Sequence, residues 1–124
     1  MYMRTDADRI YMSESRDEGR TWTPARPTAL KNPNAAVTLL KLDSDCVALA
    51  YNDSASGRNP LNIALSRDDC ESWRWKRVLE EGEGSYSYPA LFQSADGRIH
   101  ATFTYDRDTI KHVVLNETWI KGGL

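Results

Sequence analysis

The side chains of this chain best suited to chemistry are arginines and tyrosines rather than paired acids or metal ligands. Arg4 and Arg58 each precede one of two similar octapeptides. Tyr86 and Tyr88 lie two residues apart in an apolar run, and Arg107, Lys111 and His112 stand near the C-terminal end. A guanidinium can grip a carboxylate through two parallel N–H bonds. Residues two apart in a strand share a face, which predicts that both tyrosine rings point the same way. Each group also has a plainer account. Arg58 follows Gly57 and could be a solvated loop residue, and Arg4 a solvated terminal one. Tyr86 and Tyr88 could both be packing aromatics of an inner strand. Arg107, inside Asp106-Arg107-Asp108, reads as a turn residue, and His112 as a structural hydrogen-bonder beside a solvated Lys111. Glu80 and Glu81 make no acid pair, because adjacent strand residues diverge.

The octapeptides are Ser15-Arg16-Asp17-Glu18-Gly19-Arg20-Thr21-Trp22 and Ser66-Arg67-Asp68-Asp69-Cys70-Glu71-Ser72-Trp73. Their shared pattern is S-x-D-x-G-x-[ST]-W, with Cys70 in the glycine position of the second copy. Each follows an apolar run, and they recur about 50 residues apart, near the ~40–50 residues of one propeller blade. The pattern fits a tight turn. A short acidic side chain such as Asp17 accepts hydrogen bonds from N–H groups just downstream. Gly19 supplies a positive φ, and Trp22 is expected to open the next strand and bury its ring beneath the turn.

This motif resembles the Asp box of sialidases and other propellers with bacterial neuraminidase repeats. In those families it is a structural turn on the rim of a blade, away from the active site. The resemblance therefore implies that Asp17 and Asp68 form turns and are not catalytic acids. Further stretches carry it along nearly the whole chain: Tyr51-Asn52-Asp53, Arg58-Asn59-Pro60-Leu61, Tyr86-Ser87-Tyr88-Pro89-Ala90, Asp96-Gly97-Arg98-Ile99-His100 and Ile110-Lys111-His112-Val113. Together they resemble the C-terminal portion of such a propeller.

Sialidases bind the substrate carboxylate with three arginines and use a tyrosine nucleophile, an exception to the two-carboxylate pattern of most glycosidases. A glutamate activates that tyrosine, and a separate aspartate is the acid/base. The resemblance implies Arg58 as the third arginine, a reading favoured because the Ser54 to Pro60 loop should open on the substrate face. Arg4 would be the second, although its spacing matches less well and the solvated account is favoured there. Tyr86-Ser87 resembles the nucleophile motif, while the distance to Asp96-Gly97 suits Tyr88, so both remain catalytic candidates. Arg107 sits in a turn expected on the same side as the Ser54 to Pro60 loop, and with His112 it completes the substrate-binding candidates. No residues match the first arginine, the acid/base aspartate or the activating glutamate. The function implied is thus a glycan-recognising segment resembling part of a glycoside hydrolase, inactive alone. The alternative is a non-catalytic carbohydrate-binding or self-assembling structural segment. The implied partner is a glycan, an acidic sugar first, with no cofactor or metal.

The elements that must position these residues are strands. The 124 residues are 40% hydrophobic and 27% charged, with a net charge of −2, which supports neither nucleic-acid nor membrane-surface binding. No apolar run approaches the ~18 residues of a membrane span. Met1 to Arg9 lacks the apolar core of a secretory signal, which leaves localisation open. Cys46 and Cys70 lack metal-ligand spacing and are expected as free thiols. Short apolar runs at 1–4, 9–14, 36–42, 46–51, 61–65, 73–79, 86–92, 98–105 and 110–115 alternate with turn signals, and no amphipathic helix is evident. Residues 24–34, with three prolines, read as a connection. The fold class expected is all-β: a partial propeller of four-stranded antiparallel meanders. Its divisions would be about 1–30 (the end of one blade), 35–80 (a complete blade) and 85–120 (most of another). A closed propeller typically needs four to eight blades. An open array exposes sheet edges, so copies of the chain are expected to pair through them.

Overall fold

The computed structural model describes residues 1–122. It contains three antiparallel sheets in chain order. The first pairs β1 (Tyr2–Met3), β2 (Arg9–Met12) and β3 (Arg26–Lys31). The second pairs β4 (Thr38–Lys41), β5 (Val47–Tyr51), β6 (Leu61–Ser66) and β7 (Trp75–Glu80) as a meander. The third pairs β8 (Tyr86–Gln93), β9 (Ile99–Tyr105) and β10 (Thr109–Leu115). A single helical turn, α1 (Glu117–Ile120), follows. Among the described residues no strand of the first sheet pairs with one of the third.

The two central strands of the middle sheet, β5 and β6, are buried on both faces. Leu49, Tyr51 and Ala64 cluster with Ile10 and Leu30 of the first sheet. Ala48, Ile63 and Leu65 cluster with Ile99 of the third sheet and Ile120 of α1. Successive side chains of β5 and β6 thus feed opposite layers, which is why all of Leu61–Ser66 is buried and reads as a continuous run rather than an alternation. The third sheet has one covered face. Ile99, Ala101 and Phe103 of β9 point inward and are buried, whereas the intervening residues are not.

The two octapeptides form the same turn. Asp17 Oδ1 accepts from the Thr21 N–H at 2.8 Å, and Ser15 Oγ accepts from the Gly19 N–H at 2.8 Å. In the second copy Asp68 Oδ1 accepts from the Ser72 N–H at 2.9 Å, and Ser66 Oγ accepts from the Cys70 N–H at 2.9 Å. Cys70 takes φ 69°, close to the 85° of Gly19. Bonds from Thr21 and Ser72 lower the carboxyls of Asp17 and Asp68 to a pKa of about 2. The tryptophans differ from expectation. Neither opens a strand, since β3 begins at Arg26 and β7 at Trp75. Trp22 is 47% exposed, its indole N–H bonded to the Gly19 carbonyl at 3.0 Å. Trp73 is half-buried because it meets Tyr2 of the preceding sheet edge-on, with ring centroids 6.0 Å apart.

Two further expectations are corrected. Residues 24–34 are not merely a connection, for they contain β3. Pro27 pairs with Tyr11 on an edge strand, where a missing N–H need not break a ladder. A helix is also present. The Asn116 side chain caps α1 by accepting from the Trp119 N–H at 2.8 Å, and one turn is too short to show a sequence period. Cys46 is buried, Cys70 is half-buried, and both are free.

Candidate functional site

Arg58 lies in the long β5–β6 connection, whose backbone is sewn onto the start of β8. Its carbonyl accepts from the Tyr86 N–H at 2.7 Å. The Asn59 side chain donates to the carbonyls of Gly82 and Gly84. The guanidinium then reaches over the Tyr88 ring, with Cζ 5.2 Å from its centroid. Arg4 arrives from the first sheet. The adjacent Thr5 N–H donates to Oδ1 of buried Asn32 at 3.3 Å, and Arg4 Nε donates to Asn34 Oδ1 at 2.9 Å. The Arg58 and Arg4 side chains hold the Tyr88 phenol below the usual tyrosine pKa. Hydrogen bonding toward Arg58 is the largest cause, followed by hydrogen bonding toward Arg4. The phenol beneath the Arg58 guanidinium is 57% exposed and open to solvent.

Tyr86 and Tyr88 do not share a face, contrary to strand alternation. The β8–β9 register shifts between Ser87 and Ala90, and Tyr88 adopts φ 54°. Tyr86 is buried against Leu61, Phe103 and Tyr105. Its ring lies 5.3 Å from that of Tyr105, and its hydroxyl donates to the Glu83 carbonyl at 3.3 Å. Burial is the first cause of its raised pKa. Tyr86 is therefore held away from the two arginines, and Tyr88 is the phenol beside them. Pro89 is the sequence signal for the break, since proline within a strand marks an edge or a bulge.

The remaining candidates lie elsewhere. Arg107 is exposed in the β9–β10 turn at φ 61°. His112 lies on the uncovered face of the third sheet, with Nε2 2.9 Å from Nδ1 of His100 and the two rings stacked. Lys111, on the opposite face from His112, pairs with Glu80 and sits 5.3 Å from the centre of the Tyr105 ring. Asn52 is buried and Asn59 half-buried, and the sequence carries no signal for the ties that either makes to backbone carbonyls. Among the described residues no group of three His, Cys, Asp or Glu side chains could hold a metal ion. What remains is an accessible phenol of lowered pKa beneath the Arg58 guanidinium, and a guanidinium suits a carboxylate-bearing ligand.

Comparison with known proteins agrees with the turns and the sheets. The family model of the BNR repeat-like domain matches residues 1–101. Among solved structures, a leech intramolecular trans-sialidase complexed with 2,7-anhydro-Neu5Ac superposes with a TM-score of 0.86 at 17% identity, over 99% of this chain and 22% of that one. The intramolecular trans-sialidase of Ruminococcus gnavus, in complex with oseltamivir carboxylate, gives 0.84 at 20% identity over 97% and 30%. The NanB sialidase of Streptococcus pneumoniae gives 0.86 at 20% identity over 96% and 21%. These likenesses establish a shared fold, and this chain spans less than a third of each of those proteins. A comparison with curated proteins finds no match. The paired Asp-anchored turns and the family match over most of the sequence lead to one assignment: the chain belongs to the family of BNR repeat-like domains.

Proposed function

We propose that this chain is a partial propeller whose Arg4, Arg58 and Tyr88 form part of a pocket for the carboxylate of an acidic sugar. The observation that carries this reading is the Arg58 guanidinium held over the exposed Tyr88 ring, 5.2 Å from its centroid. Arg58 grips the carboxylate, Arg4 adds the second positive charge, and Tyr88 lies beside the sugar ring. Tyr88, not Tyr86, takes the place of the nucleophile that the resemblance implies. Arg107 and His112 stand outside this cluster and carry no part of the grip. Hydrolysis by this chain alone is not part of the proposal, because no residue here matches an acid/base aspartate.

The test is titration with N-acetylneuraminic acid against neutral galactose, followed by NMR line positions. Binding of the acid and not of galactose is expected. Arg58→Ala should weaken it by about 10–100-fold, the range of one hydrogen-bonded charge contact. An affinity unmoved by Arg58→Ala would sink the reading.

A second reading, a self-assembling structural segment, is favoured by one observation. The uncovered face of the third sheet exposes Phe92 at 63%, Ile110 at 66% and Val114 at 46%.

A further inference from the structure

Asn52 ties together the two halves of the arginine–tyrosine cluster. Fully buried directly after β5, it donates from Nδ2 to the Pro60 carbonyl and to the Tyr86 carbonyl, each at 3.0 Å. One carbonyl belongs to the loop carrying Arg58, the other to the strand carrying Tyr88. Facing two acceptors, the amide must present its NH2 group to them. Its Oδ1 is left buried with no hydrogen-bond partner among the described residues. A flip would turn that oxygen onto two carbonyls, which is worse still. Packing alone would not keep a half-satisfied amide there, whereas a clip between two segments accounts for it. Asn59 adds a second tie outside the core, from the residue next to Arg58 to the carbonyls of Gly82 and Gly84.

We infer that Asn52, assisted by Asn59, is a positioning residue that holds the Arg58 guanidinium over the Tyr88 ring. This deepens the acidic-sugar reading and rests on it for its use, although the contact itself is a matter of geometry. Asn52 touches no ligand in this account. It acts by fixing the distance between the loop and the strand, which the Tyr88 phenol senses directly through the nearby positive charge.

Tyrosine Cζ-labelled NMR on the full chain tests it, with Tyr88→Phe assigning the resonance. In the native chain Tyr88 should titrate below the ordinary tyrosine value, and Arg58→Ala should raise it. Asn52→Ala should also raise it, while Tyr51, whose titration burial pushes upward, stays high and reports an intact core. A folded Asn52→Ala chain with Tyr88 unmoved overturns the inference, as does a native Tyr88 that titrates ordinarily. Should Asn52→Ala not fold, Asn59→Ser decides, since its bonds are exposed. An upward shift supports the positioning role and no shift overturns it. N-acetylneuraminic acid is titrated in parallel. If the native chain ignores the sugar but Asn52→Ala still moves Tyr88, the sugar reading falls and the positioning role stands.

Discussion

At the scale of single residues, the space around Tyr86 is as informative as the notch around Tyr88. Gly84 takes φ 149°, and a methyl group placed on it would come within 2.9 Å of the Tyr86 hydroxyl. Gly84→Ala should therefore destabilise the chain by about 1 kcal/mol or more, as expected where alanine meets an incompatible backbone. Denaturant unfolding would measure it, and an unchanged midpoint would mean that the loop relaxes freely. The sequence did not reveal which of the two tyrosines meets the arginines. Alternation assigns both rings to one face, and only the break at Pro89 sends Tyr88 outward and leaves Tyr86 inside. That Arg58 lies on a loop between two strands was legible, because Gly57 and Pro60 flank it. Asn52 was not, because its role depends on two carbonyls distant in sequence.

At the scale of elements, the two Asp-anchored turns should govern behaviour in acid. Each carboxyl has a folded pKa of about 2 against an ordinary 3.8. A lowered carboxyl adds stability that is fully present above 3.8 and is lost as pH falls toward 2. Thermal unfolding at pH 5, 3 and 2 should show this decline, and Asp68→Asn should start less stable and decline less. Equal slopes in the native chain and Asp68→Asn would show that the turn is not the seat of the effect. Nine of the strands were legible from short apolar runs, because meanders leave alternation and turn residues on the page. β3 was not, since prolines mask a strand that needs hydrogen bonds on one side only. α1 was hidden because one helical turn carries no period.

At the scale of the whole molecule, three open sheets present two kinds of unfinished surface. Strand edges offer unpaired N–H and C=O groups, and the outer face of the third sheet offers Phe92, Ile110 and Val114. Under the self-assembly reading, sedimentation should show mass rising with concentration, and Phe92→Asp with Ile110→Asp should return it toward the monomer. A sharp monomer mass at high concentration would count against that reading. The all-β class was legible from the short alternating runs, and the described residues form ten strands in three separate sheets.

The double covering of β5 and β6 has a consequence for hydrogen exchange. No residue of β6 faces water, so its amides can meet solvent only when the neighbouring layers part. Deuterium should enter β6 last, at a rate set by unfolding of the entire chain. Early labelling of β6 would reveal that the flanking sheets detach one at a time.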